Sequence, residues 1–173
     1  MRSTHIVIAA ALAISATACS PTFNWRELNV DGTRLKAMLP CKPDQDSREV
    51  QIAGKPAKLE VLACDAGGAK FALLHADLGD ASRVGDALWQ WRLATVANMR
   101  GAAAKDAPFS PPGASSVPQA ARVAAVGLRA DGSKVESQAA YFSQGAQVFQ
   151  AVIYADRITP EMTESFFTSL QFQ

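Results

Sequence analysis

Few residues in this chain have the types and spacing that chemistry needs, and the most suggestive pair is His75 and Asp77. Two apart on a strand, they project to the same face, and an imidazole held by a carboxylate is the arrangement of a general base. No nucleophile accompanies them: the sequence has no G-x-S-x-G turn, no glycine-rich phosphate loop and no cluster with metal-ligand spacing. A hydrogen-bonded histidine at a strand end is therefore the expected role. Asp77, Asp80 and Asp86 lie close in sequence, as the ligands of a cation would. Each also suits a turn, a cap or the solvated first turn of a helix, and that is the reading adopted. Trp25, Trp89 and Trp91 are expected to pack in the core or under a loop rather than to form a ligand cage. No catalytic residue, metal ligand or cofactor is implied.

The other reactive side chains are the thiols of Cys19, Cys41 and Cys64. Cys19 follows a short positive start (Met1, Arg2), an apolar run from Ile6 to Ile14 and the small residues Ala16-Thr17-Ala18. The run is too short for a permanent membrane helix, which needs about 20 residues, so it reads as a targeting segment. It resembles a bacterial lipoprotein signal peptide. The resemblance implies cleavage before Cys19, attachment of lipid to its thiol and acylation of the new amino group. Ala16 stands where that signal usually has leucine, and an ordinary secretory signal cut at the same bond is the alternative. Ser20, where an aspartate would retain the protein in the inner membrane, implies the outer membrane, facing the periplasm. With Cys19 lipidated, Cys41 and Cys64 are left to pair in an oxidising compartment. Such a bridge contributes roughly 3 kcal/mol in the chain-entropy model. A strand lying between the two cysteines would hold them about 10 Å apart, too far to bond unless the loop at Cys41 crosses over.

Removing residues 1–18 leaves 155 residues, enough for one domain with a proper core. It also removes Arg2, so 16 basic residues face 16 acidic ones. A neutral chain without clustered Lys and Arg offers no electrostatic case for nucleic acid or for an anionic lipid surface. Nothing in the sequence fixes an oligomeric state.

The element that must organise the rest is a helix over about 82–100. Val84, Leu88, Trp91, Thr95 and Met99 fall in one stripe at helical spacing, with Ala87 and Ala94 beside it. Asp80 or Ser82 is placed to cap its start, and Gly101 to end it with a left-handed residue. Trp89, Leu93 and Val96 form a second apolar stripe on roughly the opposite side. Either the proline-rich segment that follows folds back over them, which is the expectation, or they contact a partner. That segment, 101–119, reads as a long mobile loop, with Phe109 placed to anchor on Trp89.

Strand patterns flank the helix. An Asp31-Gly32 hairpin joins two strands near the start. Further strands are expected over 48–53, 57–64, 70–76, 122–129, 134–142 and 147–155, with the helix before the last three. Phe71 to Leu74 and Val148 to Tyr154 are apolar on both sides of the pleat, which places them mid-sheet with cover on both faces. Thr159-Pro160-Glu161 opens a closing helix over about 160–170, with Met162, Phe166 and Leu170 as its buried stripe. The expected fold is α+β, an antiparallel sheet of about 6–8 strands with the two helices on opposite faces. Residues 19–24 form a tether and 25–173 a single domain. Three stretches carry a resemblance to the PsbP-like sandwich: Phe23-Asn24-Trp25, Leu39-Pro40-Cys41-Lys42-Pro43, and the run from Phe166 to Phe172. The resemblance implies a fold and carries over no functional residue. The function expected is a non-enzymatic accessory or interaction module of the envelope, bound to the membrane by its lipid and to a possible protein partner through Trp89, Leu93 and Val96. The alternative is a carrier of a small apolar ligand held between sheet and helix.

Overall fold

The computed structural model describes residues 22–173; the leader 1–18 and the lipidation residue Cys19 lie outside the described residues. The chain runs β1 (Arg26–Asn29), β2 (Leu35–Leu39), β3 (Asp44–Ile52), β4 (Lys55–Ala66), β5 (Ala69–Asp77), α1 (Val84–Asn98), β6 (Ala102–Pro108), β7 (Ala121–Leu128), β8 (Lys134–Gln144), β9 (Gln147–Ala155), α2 (Pro160–Thr168) and β10 (Gln171–Phe172). It is an α+β sandwich. A seven-stranded antiparallel sheet has the order β3-β4-β5-β9-β8-β7-β6, and a smaller sheet has the order β1-β2-β10. The strands that are apolar on both sides, β5 and β9, pair with each other at the middle of the large sheet.

Side chains alternate between the faces of that sheet, and each face has its own core. On one, Phe71, Leu73, Phe142, Phe149 and Ile153 pack against Leu35 and Leu39 of the small sheet and Phe166 and Leu170 at the chain's end. On the other, Ala72, Ala76, Ala139, Tyr141, Val148 and Val152 pack against Val84, Ala87 and Leu88 of α1. The two helices therefore cover opposite faces. Thr159 caps α2 by accepting a hydrogen bond from Met162 N, with Pro160 in the first turn, where a missing N–H costs nothing. Asp80 caps a short 3₁₀ turn leading into α1.

The hairpin of β1 and β2 belongs to the second sheet, not to the edge of the first. Between Leu39 and Asp44, Pro40 and Pro43 interrupt the strand and the chain crosses from one sheet to the other. Cys41 thus lies over β4 with no strand between, its Cα 6.0 Å from that of Cys64, and the two are disulfide-bonded. The tether is shorter than the sequence implies, because Phe23 already packs on Phe71 and Asn24 N donates to Pro40 O.

The segment 101–119 is not a mobile loop. Its first part is β6, paired antiparallel with β7 as an edge strand. The rest is tied down by backbone hydrogen bonds from Ser115 N to Ser143 O and from Phe172 N to Pro112 O. Phe109 packs on Phe142 and Phe167, across the sheet from Trp89. Gly101 is likewise not the left-handed residue that ends α1. Arg100 takes that role at φ 47°, while Gly101 is needed for space: a Cβ there would lie 2.6 Å from Val126 O. Gly127 reciprocates, since a Cβ on it would meet Met99 O at 2.5 Å. Leu128 N donates to that same carbonyl, so the paired glycines let the helix end dock on β7.

Candidate functional site

The helix α1 buries the stripe read from the sequence: Val84, Ala87, Leu88, Thr95 and Met99 face the sheet and Trp91 is half-buried. The second stripe is left largely uncovered. Trp89 is 48% and Leu93 51% exposed, and Val96 is half-buried. The segment expected to fold over them runs past as β6 and reaches α1 only at its flank, where Arg92 pairs with Asp106. The Arg92 guanidinium also lies 5.3 Å from the centre of the Trp89 ring. This cation–π contact holds the indole against the helix without removing it from water.

Towards its C-terminal half, α1 overhangs the sheet and leaves a cleft of about 910 Å³. Leu59, Leu74 and Tyr154 form its floor, and Trp91, Ala94 and Met99 form the helix side. A buried polar cluster closes one wall: Gln150 Nε2 donates to Thr95 Oγ1 at 2.9 Å and to the Tyr141 hydroxyl at 3.1 Å. Thr95 Oγ1 in turn donates to Trp91 O. Burial pushes the Tyr141 phenol up, and burial together with the nearby Tyr141 pushes that of Tyr154 up to about 12. Both hydroxyls therefore stay protonated and keep their capacity to donate. Gln150 was passed over in reading the sequence, although a polar residue inside an otherwise apolar strand was a signal that could have found it. Its partners became visible only with the fold.

His75 and Asp77 do not form a dyad. Asp77 is exposed and accepts a hydrogen bond from Gly79 N, a turn role. His75 is buried on β5, stacked on Phe149 with ring centroids 5.8 Å apart, and Glu60 is its register partner across on β4. His75 and Glu60 line a small hollow of about 300 Å³ together with Asp31 and Gly32 of the β1–β2 turn. Burial lowers the imidazole pKa, and the carboxylates of Glu60 and Asp31 pull the other way. Asp80 accepts from Ser82 N and Oγ, and Asp86 lies exposed in the first turn of α1. Among the described residues no group of three or more His, Cys, Asp or Glu side chains converges as metal ligands would.

A lowered histidine pKa has a defined effect on stability. Below the ordinary value of 6.5 the unfolded chain takes up a proton that folded His75 resists, so unfolding is favoured as pH falls. In a chain trimmed to residue 20, His75 is the sole histidine. Its urea midpoint is expected to drop between pH 7.5 and 5.5, and the His75→Phe variant is expected to lose most of that slope. Parallel slopes in the two proteins would mean that another group titrates there.

No protein-family model matches the chain, and no curated protein matches its sequence. No helix among the described residues is long and apolar enough to cross a membrane.

Proposed function

We propose that this chain is a lipid-anchored, non-catalytic module of the bacterial envelope. Cys19 holds it on the periplasmic face of the outer membrane, and it engages a partner protein through Trp89, Leu93 and Val96. The observation that carries the reading is the exposure of Trp89 and Leu93, at 48% and 51%, on a helix whose other stripe is buried. Tryptophan is the side chain most enriched among residues that dominate binding energy, and Arg92 holds this one in place. The Cys41–Cys64 bridge supports an oxidising compartment. The layout of helices on opposite faces of an antiparallel sheet is in keeping with the PsbP-like resemblance, which speaks for fold and not for activity.

The test has two arms. Labelled palmitate is expected to enter the wild-type protein in cells and not Cys19→Ala. A photo-crosslinking amino acid at Gln90, exposed beside the stripe, is expected to capture a partner in envelope preparations. In the Trp89→Ala background that capture should weaken by about 30-fold, the size of a strong contact residue, with thermal stability unchanged. Equal capture in both backgrounds would remove the stripe from the function.

The cleft favours a second reading, a carrier of a small apolar ligand between sheet and helix. Its volume of about 910 Å³ lies within the range of small-molecule sites, roughly 300–1,000 Å³.

A further inference from the structure

The cleft under α1 is a trough running across the strands. Arg48 on β3, Leu59 on β4, Leu74 on β5, Tyr154 on β9 and Val135 on β8 all line it, and those strands are consecutive neighbours in the sheet. Four inter-strand spacings of about 4.8 Å give a span of about 19 Å across the strands, and because Leu74 pairs with Gln150 and not with Tyr154, the trough also runs obliquely along them. A compact ring system would leave much of that floor wet. An extended hydrocarbon chain would follow it from end to end.

Charge distinguishes the two ends. Lys70 at the rim pairs with Asp65, and Arg129 beyond Val135 pairs with Asp156. Arg48 is exposed at the open edge of the sheet and has no carboxylate within 4.0 Å among the described residues. Leu59 and Leu74 thus give the trough an apolar strip, Thr95, Asn98 and Gln150 share its lining, and Arg48 at the sheet edge has no ion-pair partner among the described residues.

Its position relative to the N-terminus adds a third observation. The β4–β5 turn lines the cleft through Gly67 and Gly68. The start of the described chain rests on that same turn: a Cβ on Gly67 would lie 2.5 Å from the Phe23 ring and 3.1 Å from the Thr22 methyl. Cys19 precedes Thr22 by three residues, a reach of about 10 Å. An anchor at Cys19 would hold this end of the sheet, and the trough that opens there, against the bilayer surface.

We propose that the trough takes a single-chain anionic amphiphile from the membrane, of the fatty-acid class, with its carboxylate on Arg48 and its acyl chain laid over Leu59, Leu74 and Tyr154 beneath Trp91. This deepens the carrier reading above and rests on it. The Thr95–Gln150 pair interrupts the apolar lining on one wall of the trough.

The test uses the chain from residue 20, which keeps every residue of both cores. Oleate is expected to bind one per chain by native mass spectrometry and titration calorimetry. Ala94→Trp, at an exposed helix position on the cleft wall, should weaken oleate by at least about tenfold at unchanged thermal stability. Arg48→Gln should weaken oleate by about tenfold, the loss of one charge-assisted hydrogen bond, while leaving oleyl alcohol unaffected. Oleate that fails to bind, or binds equally to Ala94→Trp, overturns the proposal, as does an Arg48→Gln variant that holds acid and alcohol as the wild type does. Naphthalene bound in an Ala94→Trp-sensitive manner, with oleate refused, would retain the carrier and discard the amphiphile. Failure of all three probes would discard both. Oleate taken by the trimmed chain but refused by the lipidated protein in nanodiscs would assign the trough to the protein's own acyl chain and overturn a membrane source.

Discussion

Phe71→Ala is expected to cost about 3–5 kcal/mol of folding stability, the range for removing a fully buried aromatic side chain. Phe71 is 0% exposed on β5, next to the sheet's central strand β9. Its ring meets three others edge-on: Phe23 at 6.2 Å, Trp25 at 5.8 Å and Phe166 at 5.6 Å. Those partners come from the incoming chain, the segment entering β1, and α2. One side chain thus joins the large sheet to the entering chain and to α2. Edge-to-face contacts add to the transfer term, by about 0.5–1.5 kcal/mol each in favourable cases. Urea unfolding of the trimmed chain would show the loss as a lower midpoint at unchanged slope. Trp89→Ala, an exposed change, should stay within about 0.5 kcal/mol of wild type. A Phe71→Ala loss below about 1.5 kcal/mol would mean that the neighbouring rings close over the space it leaves.

What the sequence made legible follows from how local each signal is. The buried stripe of α1 and the double-sided apolar runs of β5 and β9 are periodic over many residues, and periodicity survives whatever the rest of the fold does. The strand β6 was hidden because Ala102 to Pro108 is mostly small residues without β-branching, and it forms only by pairing along one edge with β7. β10 has two residues, too short for any pattern. The division into two sheets turned on Pro40 and Pro43, which mark a break but not where the chain goes after it. The site followed the same rule. His75 and Asp77 share a strand face, yet their partners are set by register and turn geometry, and these turned one towards Phe149 and the other towards Gly79. Whether Trp89 and Leu93 would be covered depended on the path of the segment 101–119, which no local pattern fixes. Gln150 was the signal passed over, because a polar residue in a fully buried strand needs partners inside.

Removing the bridge with Cys41→Ser and Cys64→Ser together is expected to cost about 3 kcal/mol, from the entropy of opening a loop whose ends are 23 residues apart. For a domain of this size that corresponds to roughly 10 °C in melting temperature. The effect should also have a location. The bond ties the end of β2, in the small sheet, to β4 in the large one, at the end of the sandwich where the chain enters. Besides the bridge, the small sheet is held there by packing of Leu35, Ala37 and Leu39 and by the hydrogen bond from Met38 N to Ser169 Oγ. Hydrogen exchange in the double variant should therefore accelerate most in β1 and β2, while β5 and β9 keep protection in proportion to the global loss. Uniform acceleration would mean that the bridge acts only through the unfolded chain. A melting temperature within a degree or two of wild type would mean that packing between the sheets already supplies what the sulfurs hold.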